Sequence, residues 1–224
     1  MLKAVIYDMD GVLTDTEPLH KRANEIFLRE QGIPFLDEYY EQFIGSTYSY
    51  MWERYKEDYG LSCSFAELKQ GTDRINQEII AKEGQPEIPY AKEGLEQLHK
   101  AGFQLAVASS SHIDGIRDVV RNLRIDTCFD ELVSGEDVEH PKPAPDVFLK
   151  AAQLLGVLPS ECLVIEDSEN GCKAAKAAGM VCIGFLNQSS GKQDLSAADY
   201  VITSQETITP DFVRMVYAHA RGEA

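Results

Sequence analysis

The sequence has little positive charge. Lysine and arginine total 21 against 37 aspartate and glutamate residues, which leaves a formal net charge of −16. No long basic stripe offsets this excess, so we expect neither a nucleic acid nor an anionic membrane as a partner. A solvated acidic surface is the simplest explanation of the charge.

Cysteine and long apolar runs are also scarce. The five cysteines are odd in number and form no CxxC pair, which argues against a disulfide framework and a zinc site. The longest apolar run, AAGMVCIGFL at 177–186, is far shorter than the roughly 20 residues needed to span a bilayer. No apolar stretch of signal-peptide type lies near the first residues. We therefore expect a reduced, cytoplasmic protein.

Short apolar strands alternate with amphipathic helices along most of the chain. This alternation predicts an α/β fold with a Rossmann-like parallel sheet. The predicted strands are 3–7, 104–108, 162–166, 181–185 and 199–202. The predicted helices are 93–101, 112–123, 145–155, 170–178 and a last one that begins at Thr209-Pro210.

One long segment, residues 15–86, contains no convincing strand. Helices are predicted there at 17–31, 38–43, 48–59 and 65–83. Seven of the ten tyrosines lie between Tyr39 and Tyr90, as does the only tryptophan, Trp52. We predict an α/β core of residues 1–14 and 87–224, interrupted by a helical cap subdomain at 15–86. Its aromatic residues are expected to form a core rather than to line a sugar pocket.

Polar side chains follow the predicted strands, at the edge where ligands bind in open parallel sheets. Carboxylates gathered there would repel one another unless a cation joined them, and oxygen ligands favour Mg²⁺ or Ca²⁺. A lysine and hydroxyl groups at the same edge suit an incoming phosphate. The residues concerned are Asp8, Asp10, Ser109, Ser110, Ser111, Lys142, Glu166 and Asp167.

The motif set resembles that of the haloacid dehalogenase superfamily. The stretch DMDGVLTDTE resembles its first motif, in which the first aspartate is a nucleophile that accepts phosphate. Ser109 matches the second motif, Lys142 in KPAPD the third, and IEDSENG the fourth. The helical insert is similar to the small cap of the subfamily that contains β-phosphoglucomutase and many sugar-phosphate phosphatases.

The resemblance implies a role for each matched residue. Asp8 would attack phosphorus, and Asp10 would give a proton to the leaving oxygen and later take one from water. Mg²⁺ would lie between the Asp8 side chain, the Asp10 backbone carbonyl and Asp167, with Glu166 as a further or water-mediated ligand. The expected substrate- and phosphate-binding residues are Gly11, Ser109, Ser110, Lys142, Thr16 and His20, the last two through coupling of cap closure to Asp10.

These roles predict a Mg²⁺-dependent phosphatase that acts on a small phosphorylated metabolite, with sugar phosphates as the expected class. A β-phosphoglucomutase-type mutase stays open. By resemblance it would need an arginine shortly after a cap glycine, whereas Gly45 is followed by Ser46, Thr47 and Tyr48. Arg54 and Arg74 are candidate substitutes, although solvated helix charges are the favoured interpretation of both.

Three other types of protein share parts of this motif set. Haloacid dehalogenases proper lack the second aspartate, so Asp10 argues against them. Phosphonoacetaldehyde hydrolases use a Schiff-base lysine from the cap, and no local pattern supports Lys21 or Lys56 in that role. A non-enzymatic phospho-acceptor that resembles response-regulator receivers is a remote alternative. The sequence leaves the oligomeric state open, with a monomer as the expectation.

Overall fold

The chain divides into two compact units in a computed structural model that describes residues 1–43 and 48–223. The first unit contains Met1–Asp15, Glu87–Gln188 and Gln193–Ala224, and the second contains Thr16–Pro86 and Ser189–Lys192. The domain boundaries predicted from the sequence lie after residues 14 and 86. Each unit is described by itself below.

The first unit is built on a six-stranded sheet. Its strands are β1 (Ala4–Tyr7), β2 (Gln104–Ser109), β3 (Glu131–Ser134), β4 (Cys162–Glu166), β5 (Val181–Phe185) and β6 (Tyr200–Ile202). The spatial order is β3-β2-β1-β4-β5-β6, and every neighbouring pair is parallel. The strand order reverses at β1, so a crevice is expected beyond the end of that strand. The predicted parallel α/β fold is confirmed.

The helices follow the predicted alternation. In the second unit they are α1 (Thr16–Glu30), α2 (Asp37–Tyr40), α3 (Tyr48–Tyr59) and α4 (Phe65–Glu83). In the first unit they are α5 (Ala91–Lys100), α6 (Ile113–Asn122), α7 (Asp146–Leu155), α8 (Glu169–Ala177) and α9 (Pro210–Arg221). The last helix begins as its sequence predicts, because the Thr209 hydroxyl accepts a hydrogen bond from the Phe212 amide and Pro210 occupies the first turn.

Side-chain alternation along β1 divides the first unit into three layers. Val5 and Tyr7 belong to the apolar cluster that also contains residues of α5, α6 and α9. Ala4 and Ile6 belong to the cluster that contains residues of α7 and α8. Because successive strand residues point to opposite faces, helices cover both faces of the sheet. All four β1 residues are fully buried.

Strand β3 was not predicted. It has only four residues, of which Glu131 and Leu132 are half-buried, and it lies at the edge of the sheet. Such a short strand shows neither a continuous apolar run nor a clear alternation. Its pairing with β2 sets Ser134 beside Ser109.

The second unit has its own apolar core. Tyr40, Phe43 and Tyr55 are buried in it, while Tyr39, Trp52 and Tyr59 pack against it. The interpretation of this aromatic cluster as a core is therefore confirmed for these residues. Helices α1 and α4 approach closely at Gly71, where an added Cβ would lie 2.2 Å from the Phe27 ring.

The structure bears on two features of the sequence, its cysteines and its apolar segments. All five cysteines are free thiols within the described residues, and four of them are buried as small apolar side chains. No helix within residues 1–43 and 48–223 has the length and apolar character needed to cross a bilayer.

Candidate active site

The end of β1 delivers a carboxylate into the interior of the first unit. The backbone amide of Asp8 donates a hydrogen bond to the Ile165 carbonyl at 2.9 Å, so the β1–β4 pairing continues through this residue. Asp8 is only 7 % exposed. Its Oδ1 atom accepts a hydrogen bond from Lys142 Nζ at 2.5 Å. The predicted nucleophile and the predicted phosphate-binding lysine are therefore in direct contact.

Lys142 is held by several groups at once. Its ammonium donates hydrogen bonds to Asp8, to Glu166 Oε1 at 2.8 Å and to the Ala108 carbonyl at 3.2 Å. It also lies 4.8 Å from the centroid of the Phe148 ring. Burial alone would lower the pKa of Lys142, but the charges of Asp8 and Glu166 and their hydrogen bonds raise it above its ordinary value. Lys142 is therefore a cation at neutral pH.

Glu166 uses both of its oxygens within the protein. While Oε1 accepts from Lys142, Oε2 accepts from the Ser168 amide at 2.7 Å and from the Ser168 hydroxyl at 2.8 Å. Glycine at position 171 makes room for this carboxylate, because a Cβ there would lie 1.7 Å from Oε1. Glu166 is 1 % exposed. These contacts join the end of β4 to the start of α8 and to Lys142.

The predicted metal ligands crowd negative charge around Asp8. Burial raises the pKa of the Asp8 carboxyl well above its ordinary value; Lys142 opposes this shift, and Glu166, Asp167 and Asp10 add to it. No three His, Cys, Asp or Glu side chains within the described residues are arranged as a metal-binding group. The donors present are nonetheless all oxygens, and the Lys142 ammonium contacts two of the four carboxyl groups, Asp8 and Glu166, which is the chemistry that suits a hard cation.

Asp10 and the serine run after β2 meet in the same region. The Ser111 hydroxyl donates a hydrogen bond to Asp10 Oδ2 at 2.9 Å. The Ser111 amide in turn donates to Ser109 Oγ at 3.1 Å. Ser109 is buried, whereas Ser110 is exposed. The structure thus brings Asp10 and Ser109 together through Ser111, which the sequence places at this strand end but to which the motif resemblance assigns no role.

A tight turn follows Asp10. Gly11 has a φ of +78°, a backbone conformation that side chains with a Cβ rarely adopt, and its amide donates to the Thr14 carbonyl at 2.8 Å. Two buried amide side chains hold the turn: Asn187 donates to the Gly11 carbonyl and Gln205 donates to the Val12 carbonyl. Sequence reasoning missed both supports.

The remaining predicted substrate residues lie in the second unit. Thr16 is the first residue of α1, and His20 follows about one turn later. The Nδ1 atom of His20 lies 3.3 Å from Asn76 Nδ2, which belongs to α4. These contacts give His20 a partner within its own unit, and its role toward substrate stays a prediction, as does that of Thr16.

The alternative cap cations have local partners. Arg54 is paired with Glu57 and Asp58 on α3, and Arg74 with Glu30 and Glu78. Arg74 is exposed and Arg54 is half-buried, and both carry ion pairs at the helix surface, in agreement with their interpretation as solvated helix charges. Lys21 is paired with Asp37, and Lys56 lies over the Trp52 ring. The segment after the cap glycine, Gly45 with Ser46 and Thr47, falls outside the described residues, and the Tyr48 side chain is likewise not described.

Comparison with known proteins gives a consistent set of relatives. A family model described as haloacid dehalogenase-like hydrolase matches residues 2–179. The chain is 30% identical over 215 residues to the phosphorylated carbohydrates phosphatase of Thermotoga maritima, covering 92% of this chain and 96% of that one. It is 32% identical over 214 residues to the beta-phosphoglucomutase of Bacillus subtilis, covering 93% and 92%. The crystal structure of a putative beta-phosphoglucomutase from Thermotoga maritima matches with a TM-score of 0.83 at 28% identity, covering 95% of this chain and 99% of that one.

Proposed function

The chain belongs to the haloacid dehalogenase-like hydrolases, a family with phosphoryl-transfer members, and on that premise we propose that it is a Mg²⁺-dependent phosphatase. Its substrate is a small phosphorylated metabolite of the sugar-phosphate class, and the reaction passes through a phosphoenzyme on Asp8. Phosphoryl transfer requires positioning and charge neutralisation more than elaborate covalent chemistry.

One contact carries this proposal. The Asp8 carboxylate ends the central strand and accepts a hydrogen bond from Lys142 at 2.5 Å. Glu166 accepts a second hydrogen bond from the same ammonium, at 2.8 Å. Lys142 is therefore fixed next to the oxygen that would attack phosphorus, where its charge would also attract the phosphate.

Two steps complete the reaction. An Asp8 oxygen attacks phosphorus, the bond from phosphorus to the substrate oxygen breaks, and Asp10 protonates that leaving oxygen. Water then attacks the same phosphorus and gives its proton to Asp10. The bond to Asp8 breaks and its electron pair returns to the Asp8 carboxylate. Asp10 regains from water the proton that it gave to the leaving oxygen, so the enzyme returns to its starting state and the cycle is catalytic.

The proposed metal ligands are Asp8, the backbone carbonyl of Asp10 and Asp167. A bound Mg²⁺ supplies positive charge that offsets repulsion between the phosphate and these carboxylates. Glu166 is proposed as an anchor for Lys142 rather than as a direct ligand, because both of its oxygens already accept hydrogen bonds from the protein.

A mutase is the second candidate, favoured by the 32% identity to the beta-phosphoglucomutase of Bacillus subtilis. A mutase must bind a second phosphate, which requires a well-placed cation in the cap. Arg54 and Arg74 are both committed to carboxylates on their own helices or neighbours, which favours the phosphatase.

Release of inorganic phosphate from a panel of sugar phosphates, with Mg²⁺ and with EDTA, tests the proposal. We expect turnover with Mg²⁺, its loss in EDTA, and its abolition in Asp8→Asn. Asp10→Asn should stall release of phosphate from the enzyme. Calorimetry without substrate should show weaker Mg²⁺ binding in Asp167→Asn than in the wild type.

Asp118→Asn, on an exposed part of α6, is the matched control and should keep full turnover. Substantial turnover by Asp8→Asn would show that the nucleophile is wrongly assigned. Isomerisation of a sugar phosphate that depends on a bisphosphate primer would identify a mutase. A phosphorylated protein that turns nothing over would identify a phospho-acceptor module.

A further inference from the structure

Ser111 joins the proposed proton carrier to the serine run after β2. Its hydroxyl donates a hydrogen bond to Asp10 Oδ2 at 2.9 Å, across 101 residues of sequence. A hydroxyl that donates to one oxygen of a carboxyl group favours the proton on the other oxygen when that group is neutral. The contact therefore fixes the orientation of the Asp10 carboxyl group through its Oδ2 atom.

Ser111 is itself held in place by the end of β3. The Ser134 hydroxyl donates a hydrogen bond to the Ser111 carbonyl at 2.8 Å, and its oxygen accepts one from the Glu136 amide at 3.1 Å. Ser134 is 1 % exposed. A buried serine that both donates and accepts in this way has a fixed hydroxyl orientation, so the Ser111 backbone is anchored on one side.

Gly135 brings this support close to the serine run. An added Cβ at Gly135 would lie 3.0 Å from the Ser110 Cα and 3.3 Å from the Ser109 carbonyl. Both distances are tighter than ordinary van der Waals contact, and backbone atoms cannot give way as a flexible side chain can. The absence of a side chain at this position lets the end of β3 pack directly against the backbone that carries Ser111.

We propose that Ser111 is a positioning residue for proton transfer by Asp10, and that Ser134 and Gly135 form the support that holds it. This inference rests on the proposed phosphatase function. It separates two roles within one serine run: Ser109 and the Ser110 amide face the phosphate, whereas Ser111 orients the acid that protonates the leaving group.

Two aryl phosphates with different leaving groups test this role. The p-nitrophenolate leaves readily without a proton, whereas phenolate depends on the acid, so the ratio of the two phosphorylation rates reports on Asp10. Rapid-quench measurement of phosphoenzyme formation from p-nitrophenyl phosphate and phenyl phosphate gives that ratio. The ratio is the phosphorylation rate with p-nitrophenyl phosphate divided by the rate with phenyl phosphate. We expect Ser111→Ala to raise this ratio about tenfold over the wild type and Ser134→Ala to raise it about threefold. Ser111→Thr, which keeps a hydroxyl, should restore the wild-type ratio.

Ser204→Ala is the matched control for Ser134→Ala. Like Ser134, Ser204 precedes a short helical turn, and its hydroxyl accepts a hydrogen bond from the amide two residues later, at 3.2 Å. Ser204 lies outside the proposed site. The ratio of the two phosphorylation rates in Ser204→Ala should equal that of the wild type. Equal losses for both substrates in Ser111→Ala, or no change, would overturn the positioning role while leaving the phosphatase intact. Failure of the wild type to form a phosphoenzyme from either substrate would overturn the proposed function and this inference together.

Discussion

Gly171→Ala is the change from which the most can be learned about how Lys142 is held. Gly171 lies in the first turn of α8, where its amide donates to the Ser168 hydroxyl. Its backbone has no positive φ, so alanine is compatible with the local conformation. The new Cβ would nevertheless lie 1.7 Å from Glu166 Oε1 and 1.8 Å from the carboxyl carbon. The Glu166 carboxylate must therefore move.

The size of that movement sets the expected cost. Ordinary contact between heavy atoms begins near 3.5 Å, so the carboxylate must shift by about 2 Å. Hydrogen bonds of 2.7–2.8 Å to Lys142 and Ser168 do not survive such a shift. Breaking a buried ion pair costs about 3–5 kcal/mol, and alanine returns about 0.5–1 kcal/mol through helix propensity. The free energy of unfolding should fall by about 2–4 kcal/mol.

Thermal unfolding and turnover together provide the assay. For a chain of this length the expected fall in Tm is about 4–16 °C. Turnover should fall as well, because Lys142 loses Glu166, the carboxylate that helps to hold its ammonium next to Asp8. Gly115→Ala is the matched control: Gly115 occupies the same position in the first turn of α6, and nothing lies within 4 Å of an added Cβ.

A Tm for Gly171→Ala equal to that of Gly115→Ala would refute this reasoning. It would show that Glu166 can leave its position without loss, and hence that its contacts with Lys142 and Ser168 do not stabilise the fold.

Two predictions concern the second unit. Gly71→Ala should destabilise the second unit by about 1–3 kcal/mol, since the added Cβ would lie 2.2 Å from the buried Phe27 ring. Protease susceptibility, compared with that of Gly115→Ala, measures the loss of stability. Equal resistance of the two variants to the protease would contradict the prediction. Hydrogen bonds from Ser64, chiefly that from its backbone amide, lower the pKa of Glu67 below its ordinary 4.5. The ionised Glu67 carboxylate therefore stabilises the folded protein above that pH, and this stabilisation is lost as the pH falls through the lowered pKa of Glu67. The Tm difference between the wild type and Glu67→Gln should therefore narrow below about pH 4.5, and a difference that stays constant down to about pH 3 would contradict it.

Part of the site can be predicted because strand ends obey a simple rule. Asp8 and Ser109 follow two predicted strands and Glu166 is the last residue of a third, and parallel strands present their carboxyl ends at one edge. Lys142 lies in a loop rather than at the end of a predicted strand, and only the motif resemblance gives it a specific role in the site. Its contact with Asp8 spans 134 residues, a distance over which periodicity carries no information.

The supports of the site could not be predicted in this way. Ser134 is the last residue of a four-residue edge strand that the sequence does not predict, so its role depends on a strand whose pattern resembles a loop. Asn187 and Gln205 hold the turn after Asp10 by donating to backbone carbonyls, and any amide side chain at a suitable position could do so. Only three-dimensional placement distinguishes these two from other asparagines and glutamines.

The interior position of β1 has a consequence for biosynthesis. β1, which leads into Asp8, is made before the strands that flank it: its two neighbours in the sheet, β2 and β4, come more than 95 and 150 residues later. A growing polypeptide on the ribosome therefore contains Asp8, the proposed nucleophile, long before the strands that enclose it exist. The arrangement of Asp8 with Glu166 can arise only after residue 166 has emerged, so it reports on the pairing of β1 with both of its neighbours rather than on any early folding unit.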